Sequence, residues 1–402
     1  MGNNKQIKLG NESTVYFSEE IVEEILSRLP VHSLFRFKAV SKSWNTLISS
    51  PSFAESHLNN YGNSNNFVLL AFDQTTRKWK LSFTTFGTSS SSELTTVVVG
   101  GGGGGRADEK FIELPTMLEK TTRIKDKIIG PFNGLICFYG IAGMAGMGGI
   151  ALCDPNLRTT ETLPICPITE KELRFSTYVT RSMGFGLDSV TKEIKLVQTL
   201  SYLFWYKDTH IEKGIRVDIY SPTNKTWRHV LDHDDAATSD TFIWDAIGSY
   251  EDGSFSHWID NNQSVVLSFD MQKEVFVRTP IPIEYDHFKH EVKIFAKGST
   301  SLVLFAYPRQ RVTGENYLFD RWELNGLKHW SRLTRVGPFL GVTKPVGALW
   351  RSRVIVVRGE TKLVFYDYST QHVMRIYDME GNDYHLNCRD LVKVLEYKGS
   401  LL

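Results

Sequence analysis

A repeated turn pattern constrains the fold of this 402-residue chain more than any other feature. From about residue 66, an apolar run ends in a turn residue, usually acidic, and an aromatic residue or another strand former follows six positions later. The repeats are AFDQTTRKW (Asp73, Trp79), LCDPNLRTT (Asp154), GLDSVTKEI (Asp188, Ile194), IYSPTNKTW (Ser221, Trp227), SFDMQKEVF (Asp270, Phe276) and FYDYSTQHV (Asp367, Val373), with RWELNGLKHW (Glu323, Trp330) one residue longer. Asp or Ser at the first turn position accepts backbone hydrogen bonds, so each repeat predicts a β-hairpin. Several hairpins in series predict an all-β, kelch-like propeller of about five to seven blades over residues 66–402.

Residues 17–48 have a helical period instead. Ser18 can cap a first helix that Pro30 ends, and Ser33 and Ser41 can open a second and a third short helix. The apolar residues are Ile21, Ile25 and Leu29 in the first helix, Leu34, Phe37 and Val40 in the second, and Trp44, Leu47 and Ile48 in the third. The predicted fold class is therefore multidomain, with a small all-α unit of three short helices followed by an all-β kelch-like propeller.

The helical unit, residues 16–60, offers more apolar side chains than three short helices can hide among themselves. A segment of about 40 residues rarely folds stably without disulfides, a metal or a partner. Two interpretations stay open at this point. The apolar side chains pack on the chain's own β domain, or they dock onto another protein by helix-on-helix contact.

Three other segments differ from these two patterns. We expect residues 1–15 to be disordered, and the Ser- and Gly-rich tract 86–107 to form a flexible surface loop. The Gly run of that tract lacks the Gly-Lys-Ser/Thr ending of a phosphate loop. The uncharged stretch 130–153 is long enough to span a bilayer, but its seven glycines favour two buried strands around a glycine turn. We therefore predict no membrane segment.

Net charge and cysteine spacing limit the partners and the cellular compartment that we expect for this chain. The formal net charge is +1, so no overall field favours nucleic acid or an anionic membrane as partner. The four cysteines have no CxxC spacing, and the first residues lack the apolar core of a signal peptide. These features predict a reducing intracellular compartment, the cytoplasm and also the nucleus.

The sequence contains no HExxH, GxSxG, kinase or zinc-quartet motif. We therefore predict a non-catalytic protein without cofactor or metal. A metal site is the weaker alternative for one acidic loop, whose candidate ligands are His229, His233, Asp234 and Asp235. Cys153 and Cys166 are expected to be buried, inert thiols. The tryptophans could form a ligand-stacking surface, but aromatic rings in repeated strands usually form blade cores; they are Trp227, Trp258, Trp322 and Trp330.

The spacing of the helical segment resembles the F-box. The resemblance rests on Ile21, Ile25, Leu29-Pro30, Val31, Ser33-Leu34, Arg36-Phe37, Val40, Ser41-Lys42, Trp44, Leu47-Ile48 and Phe53. In that family, the module attaches a substrate receptor to the Skp-type adaptor of Skp-cullin-F-box ubiquitin ligases. The resemblance implies adaptor contacts by Phe17, Ile21, Ile25, Leu29, Pro30, Leu34, Phe37, Val40, Trp44 and Leu47, and through the adaptor a cullin. Phe17-Ser18 stands where the family usually has Leu-Pro.

The β domain resembles the F-box-associated interaction domain of land plants, in the subgroup of pollen S-locus F-box proteins. The supporting segments are 128–140, 151–164, 183–198, 217–230 and 257–276. This resemblance implies that the β domain holds a protein target for ubiquitination, with a stylar ribonuclease as one target class. Two alternatives stay open. The chain is an adaptor-bound scaffold or competitor that does not deliver its partner, or it is a propeller enzyme or carbohydrate binder.

Overall fold

The computed structural model describes most of the predicted helices and strands. The described residues are 5–9, 13–29, 31–61, 66–73, 78–85, 95–99, 110–112, 128–132, 134–139, 149–154, 159–166, 176–206, 210–231, 243–249, 253–260, 264–282, 290–298, 300–309, 316–350, 353–359, 362–378 and 391–396. Pro30 and His233 of the predicted sites lie outside these ranges, as do Asp234 and Asp235.

Four helices follow an N-terminal hairpin. The hairpin pairs β1 (Lys5–Leu9) with β2 (Ser13–Phe17) in antiparallel register. The helices are α1 (Glu19–Ser27), α2 (Val31–Lys38), α3 (Lys42–Ile48) and α4 (Pro51–Tyr61). The expectation of disorder over 1–15 is corrected for the residues of this hairpin, where the β-branched residues Ile7, Thr14 and Val15 favour strands. The three predicted helices are confirmed and α4 is an addition, because the fixed φ of a proline suits the first position of a helix.

The β domain begins with four strands of one sheet. They are β3 (Asn66–Asp73), β4 (Lys78–Thr85), β5 (Thr95–Val99) and β6 (Lys110–Ile112). The first three pair antiparallel, and β6 pairs parallel to β5. The prediction of a loop throughout 86–107 is therefore corrected over β5, whose sequence TTVVV consists of β-branched residues.

Five four-stranded antiparallel blades come next. Blade 1 has β7 (Ile128–Phe132), β8 (Leu135–Tyr139), β9 (Ile150–Asp154) and β10 (Thr159–Leu163). Blade 2 has β11 (Ser176–Leu187), β12 (Ile194–Tyr206), β13 (His210–Ser221) and β14 (Thr226–Leu231). Blade 3 has β15 (Ile243–Ser249), β16 (Phe255–Asp260), β17 (Val265–Asp270) and β18 (Val275–Pro280). Blade 4 has β19 (His290–Gly298), β20 (Ser301–Pro308), β21 (Asn316–Asn325) and β22 (His329–Leu340). Blade 5 has β23 (Val342–Leu349), β24 (Val354–Gly359), β25 (Lys362–Asp367) and β26 (His372–Asp378).

A last strand closes the propeller. Strand β27 (Leu391–Glu396) pairs with β3, so the first sheet of the domain takes its innermost strand from the end of the chain. The first strand of each blade contacts the first strand of the next, and β27 contacts both β23 and β7. The five blades and this closing sheet therefore form a ring, which confirms the prediction of a kelch-like propeller.

The predicted hairpins are confirmed, and the turns that begin at Asp188, Asp270 and Asp367 share one geometry. The first Oδ of Asp188, Asp270 and Asp367 accepts hydrogen bonds from the N–H groups two and three residues further on, at 2.7–3.2 Å. The fourth residue after the first turn position has a positive φ in several repeats: 58° at Lys192, 54° at Lys225, 58° at Glu274 and 60° at Gln371. The turns at Asp188, Ser221, Asp270 and Asp367 therefore reverse the chain in the same way and place the next strand in the same register.

The cores of the β domain are formed largely by neighbouring blades. One cluster joins residues of blades 1, 2 and 3 around Phe185 and Trp258, and another joins blades 4 and 5 around Phe319 and Tyr366. The two strands predicted within 130–153 are confirmed as β8 and β9, and most of their residues are buried. No helix in the described residues is both long and apolar enough to cross a membrane.

Candidate functional site

Serine residues set the start of three of the four helices. The Oγ atoms of Ser18 and Ser41 cap α1 and α3, and Ser50 does the same for α4. Each Oγ accepts the N–H three residues further on, at 3.4 Å for Ile21, 3.2 Å for Trp44 and 3.2 Å for Phe53. Such caps satisfy backbone donors that a helix leaves without partners at its N-terminus. The Ser50-Pro51 pair is the sequence signal that could have predicted α4.

The helices share a small core of their own. Leu26, Leu34, Ile48 and Phe53 are at most 2% exposed and pack together. Five partly buried residues surround them: Val22, Leu29, Phe37, Trp44 and Leu47. The rings of Phe37 and Trp44 meet edge-to-face with centroids 5.5 Å apart and thereby join α2 to α3.

Polar contacts join α1 to α4. The Nε2 atom of His57 lies 2.8 Å from the carbonyl oxygen of Leu29, and the amide of Asn60 donates to Ser27 Oγ at 2.9 Å. The Ser27 hydroxyl in turn donates to the Glu24 carbonyl. Burial lowers the pKa of His57, while the hydrogen bond to Leu29 opposes that shift. Because α4 was not predicted, sequence analysis missed His57 and Asn60.

Three of the predicted docking residues face outward. The exposed fraction is 48% for Ile21, 49% for Ile25 and 61% for Val40. On α1, Ile21 and Ile25 form one apolar stripe, while Val22 and Leu26 belong to a second stripe that packs against the other helices. This separation leaves an apolar surface on the helical unit that its own core does not use. It also contradicts the interpretation in which these side chains pack on the β domain.

The remaining predicted docking residues are less accessible. Five are partly exposed: Phe17, Leu29, Phe37, Trp44 and Leu47. Leu34 is 0% exposed, so its assignment to the docking surface is corrected: this side chain holds the helices together. The periodic pattern placed Leu34 and Val40 on one side of the same short helix, whereas Val40 lies two residues beyond the end of α2.

Charged groups surround the exposed stripe of α1. Glu19 and Glu20 lie in the first turn, where the positive end of the helix dipole favours acidic groups. The pKa of Glu20 is lowered by a hydrogen bond from its own backbone N–H and by the Ser18 hydroxyl. Glu24 and Arg28 form an ion pair one turn further along. The exposed stripe of α1 is therefore apolar at Ile21 and Ile25 and has a charged border.

Within the described ranges, no group of three or more His, Cys, Asp and Glu residues could hold a metal ion. His229 instead lies with its Nδ1 3.2 Å from Asp218 Oδ1. Cys153 is buried as expected, and burial raises its pKa to about 12, with the Asp154 charge adding to the shift. Cys166 is also buried.

The four tryptophans divide into two groups. Trp258 and Trp322 are buried, as predicted for blade cores. Trp227 and Trp330 are only half-buried and donate their indole N–H to main-chain carbonyls of the preceding blade. The sequence therefore identified Trp258 and Trp322 as core residues, but it did not predict that Trp227 and Trp330 donate hydrogen bonds to the preceding blade.

Comparisons with known proteins agree with the arrangement of the helices. Residues 17–56 match the F-box domain. The chain is 26% identical over 349 residues to an F-box/kelch-repeat protein of Arabidopsis thaliana, covering 84% of this chain and 83% of the relative. It is 22% identical over 394 residues to an F-box protein of the same plant, covering 91% and 79%. An F-box/LRR-repeat/kelch-repeat protein of Arabidopsis thaliana is 25% identical over 270 residues, covering 64% of this chain and 62% of the relative. Together with the fold, these matches show an F-box domain over residues 17–56 that precedes a kelch-like β-propeller, in a chain similar to plant F-box proteins.

Proposed function

We propose that this protein is the substrate-recognition subunit of a Skp-cullin-F-box ubiquitin ligase. The helical unit binds a Skp-type adaptor and through it a cullin, and the propeller holds a target protein. The observation that carries the proposal is the exposure of three apolar side chains, Ile21, Ile25 and Val40, within the matched F-box segment. An apolar helix surface of this kind is suited to a second helical protein.

In this role the protein has no catalytic group of its own and needs no cofactor. It brings a lysine of the target close to activated ubiquitin that another subunit supplies, so the rate gain comes from proximity. The closed ring of blades suits this task because a rigid scaffold can present loops without disturbing its core. The proposed location is the cytoplasm, with the nucleus as a second compartment.

The resemblance to the F-box-associated domain and to pollen S-locus F-box proteins supports a finer proposal. The target class is a stylar ribonuclease, and the biological role is self-incompatibility in pollen. Expression confined to pollen would support this assignment, whereas strong expression in leaves would contradict it.

Adaptor binding is tested by co-expressing the full chain with a Skp-type adaptor. We expect the Ile25→Asp plus Val40→Asp variant to lose co-purification, because each charge would be desolvated against the adaptor. The matched control is Val190→Asp plus Leu318→Asp, which changes similarly exposed apolar residues of the β domain, 67% and 46% exposed. Equal adaptor recovery with both variants would overturn the proposed docking surface.

Target delivery requires a second measurement. Partners captured by the wild-type chain should accumulate in an ubiquitinated form after proteasome inhibition, and they should not do so with the Ile25→Asp plus Val40→Asp variant. If bound partners never become ubiquitinated, the protein is an adaptor-bound scaffold or competitor instead.

A further inference from the structure

Arg321 lies inside the junction between blades 4 and 5. On β21 it pairs with Phe305 of β20, and Phe305 is a fully buried residue of the core that joins these two blades. Residues directly opposite each other in a sheet share one face, so Arg321 belongs to the face that packs on blade 5. Its side chain is only partly exposed, and burial lowers the pKa of its guanidinium group. A charged group in such a place is costly unless it has polar partners.

An aromatic ring holds the guanidinium group of Arg321. The Cζ atom of Arg321 lies 4.6 Å from the centroid of the Tyr368 ring, and Tyr368 directly follows β25 of blade 5. Tyr368 in turn packs edge-to-face on Trp350 with centroids 6.4 Å apart, and the Trp350 indole donates to the Ala296 carbonyl of blade 4 at 2.6 Å. A cation above a ring is attracted to the ring face and does not need its N–H groups for that contact. Tyr368 therefore positions Arg321 without using its hydrogen-bond donors.

The donors of Arg321 have no acidic partner in the part of the chain that the structure describes. The Nε atom is buried and has no hydrogen-bond partner there. Glu323 lies two residues further along β21, and its charge opposes the effect of burial on the pKa of Arg321, but its Oε1 accepts a hydrogen bond from Lys297 Nζ at 2.5 Å. Asp367 accepts the N–H groups of its own turn. Buried polar groups nearly always have partners in folded proteins, so the Nε atom indicates an acceptor that these residues do not supply.

Arg353 supplies a second cation near the same ring. Its carbonyl oxygen accepts the N–H of Tyr368 at 3.0 Å, and its side chain is exposed. Burial raises the pKa of Tyr368, and the charges of Arg321 and Arg353 both oppose that shift. Two guanidinium groups, one from each blade, therefore act on one tyrosine. We call Arg321 and Arg353 the arginine pair.

The opposite face of blade 4 has an arginine with both kinds of partner. Arg332 Cζ lies 5.4 Å from the centroid of the Trp322 ring, and Arg332 Nη2 donates to Asp320 Oδ1 at 3.1 Å. Trp322 belongs to the core that blade 4 shares with blade 3. An aromatic ring therefore positions both arginines, but Arg332 has a carboxylate partner and Arg321 has none among the described residues. This comparison indicates the kind of group that would complete the site at Arg321.

We infer that the arginine pair binds an oxyanion of the target protein, either a side-chain carboxylate or a phosphoryl group. The inference rests on the proposed function, since it names the chemical group by which the propeller holds its target. A guanidinium group can present two parallel N–H donors to a carboxylate or a phosphate, and it makes strong, charge-assisted hydrogen bonds with either. The contact with Tyr368 orients Arg321 before the ligand arrives, which reduces the entropy lost on binding.

The test uses the full chain, fluorescently labelled at a C-terminal tag and purified after co-expression with a Skp-type adaptor. Three peptides of the form Gly-Gly-X-Gly-Gly, with both ends blocked, have Glu, phosphoserine or Gln at X. Microscale thermophoresis measures their binding up to about 5 mM peptide. We expect the tighter of the Glu and phosphoserine peptides to bind about tenfold more tightly than the Gln peptide, because hydrogen bonds to a charged acceptor are the stronger ones. The ratio between the Glu and phosphoserine peptides identifies the source of the oxyanion.

Variants of the arginine pair locate the site. Arg321→Gln should weaken binding of the tighter peptide about tenfold, and Arg353→Gln, at an exposed position, about threefold. Arg332→Gln is the matched control, because it removes the same charge and a ring-stacked arginine from the same blade, and it should leave binding within about twofold of wild type. Arg321→Lys keeps the charge but loses the paired donors, so it should also weaken binding. Thermal melting shows whether each variant folds, and Arg353→Gln with Arg321→Lys provides the test should Arg321→Gln fold poorly.

The inference is overturned if the Glu and phosphoserine peptides bind no more tightly than the Gln peptide, or if no peptide binds at about 5 mM. It is also overturned if the variants of the arginine pair bind like wild type, since Arg321 would then only join the two blades. Equal weakening by Arg332→Gln and Arg321→Gln would overturn it as well, because the effect would come from net charge alone. Adaptor recovery is scored in the same preparations. Selective peptide binding without adaptor recovery would reject the proposed function alone, and adaptor recovery without selective peptide binding would reject the oxyanion site alone.

Discussion

The helical unit and the propeller place their apolar residues in opposite ways. In the helices, four fully buried residues form the core while Ile21, Ile25 and Val40 remain about half exposed or more. In the propeller, buried residues on facing sheets form continuous clusters between blades. This contrast shows that a small unit can keep an apolar surface for a partner only if a few buried side chains are sufficient to hold it together.

The largest expected effect is the difference in stability between a core substitution and a surface substitution in the helices. Leu34→Asp puts a carboxylate among Leu26, Ile48 and Phe53, and should destabilise the helical unit by more than about 4 kcal/mol. Ile25→Asp, at a position 49% exposed, should change stability by less than about 0.5 kcal/mol. Limited proteolysis between residues 17 and 61 of the full chain measures the difference.

Adaptor binding by the Leu34→Asp and Ile25→Asp variants is the second measurement for this prediction. Both variants should lose the adaptor, but only Leu34→Asp should become sensitive to protease in the helices. Protease resistance of Leu34→Asp would show that the comparison between core and surface is wrong.

The next effect concerns polar contacts within the propeller. Lys195 Nζ donates to Asp188 Oδ2 at 2.7 Å, to the Met271 carbonyl at 2.8 Å and to Glu274 Oε1 at 2.9 Å, and thereby joins blades 2 and 3. Lys195→Ala would leave two largely buried carboxylates without this partner, so the protein should lose about 3 kcal/mol. Urea unfolding of the full chain measures it. Lys273→Ala is the control, because Lys273 is 72% exposed and should matter by less than about 0.5 kcal/mol.

The same contacts predict a dependence on pH. The hydrogen bond from Lys195 lowers the pKa of Asp188 from 3.8 to about 2, against the opposing effect of burial and with help from the N–H groups of Thr191 and Val190. A carboxyl group with a lowered pKa stabilises the fold above its unfolded pKa and loses that contribution as pH falls through its folded pKa. Between about pH 4 and pH 2, the protein should therefore lose on the order of 2 kcal/mol through this residue. An Asp188→Asn variant should show a smaller loss over the same range, and parallel curves for both proteins would contradict the assignment.

The propeller could be predicted largely because its turns are local. Asp188, Asp270 and Asp367 each bond to backbone groups two and three residues away, so a few letters of sequence define each hairpin. The pairing of β27 with β3 joins residues over 300 positions apart, and no local signal indicates it. Within the helices, the spacing of the apolar residues predicted the helices themselves. It did not show which of the two apolar stripes of α1 faces the core.

The smallest effect tests the indole contacts that the outermost strands of blades 2 and 4 make with the preceding blades. Trp330→Phe keeps an aromatic ring and removes the hydrogen bond to Pro280, so it should cost about 1 kcal/mol in urea unfolding. Trp227→Phe should cost a similar amount at a separate junction, and the double variant should show the sum of both within about 0.5 kcal/mol. If each single change proves neutral, the rings act only by filling space.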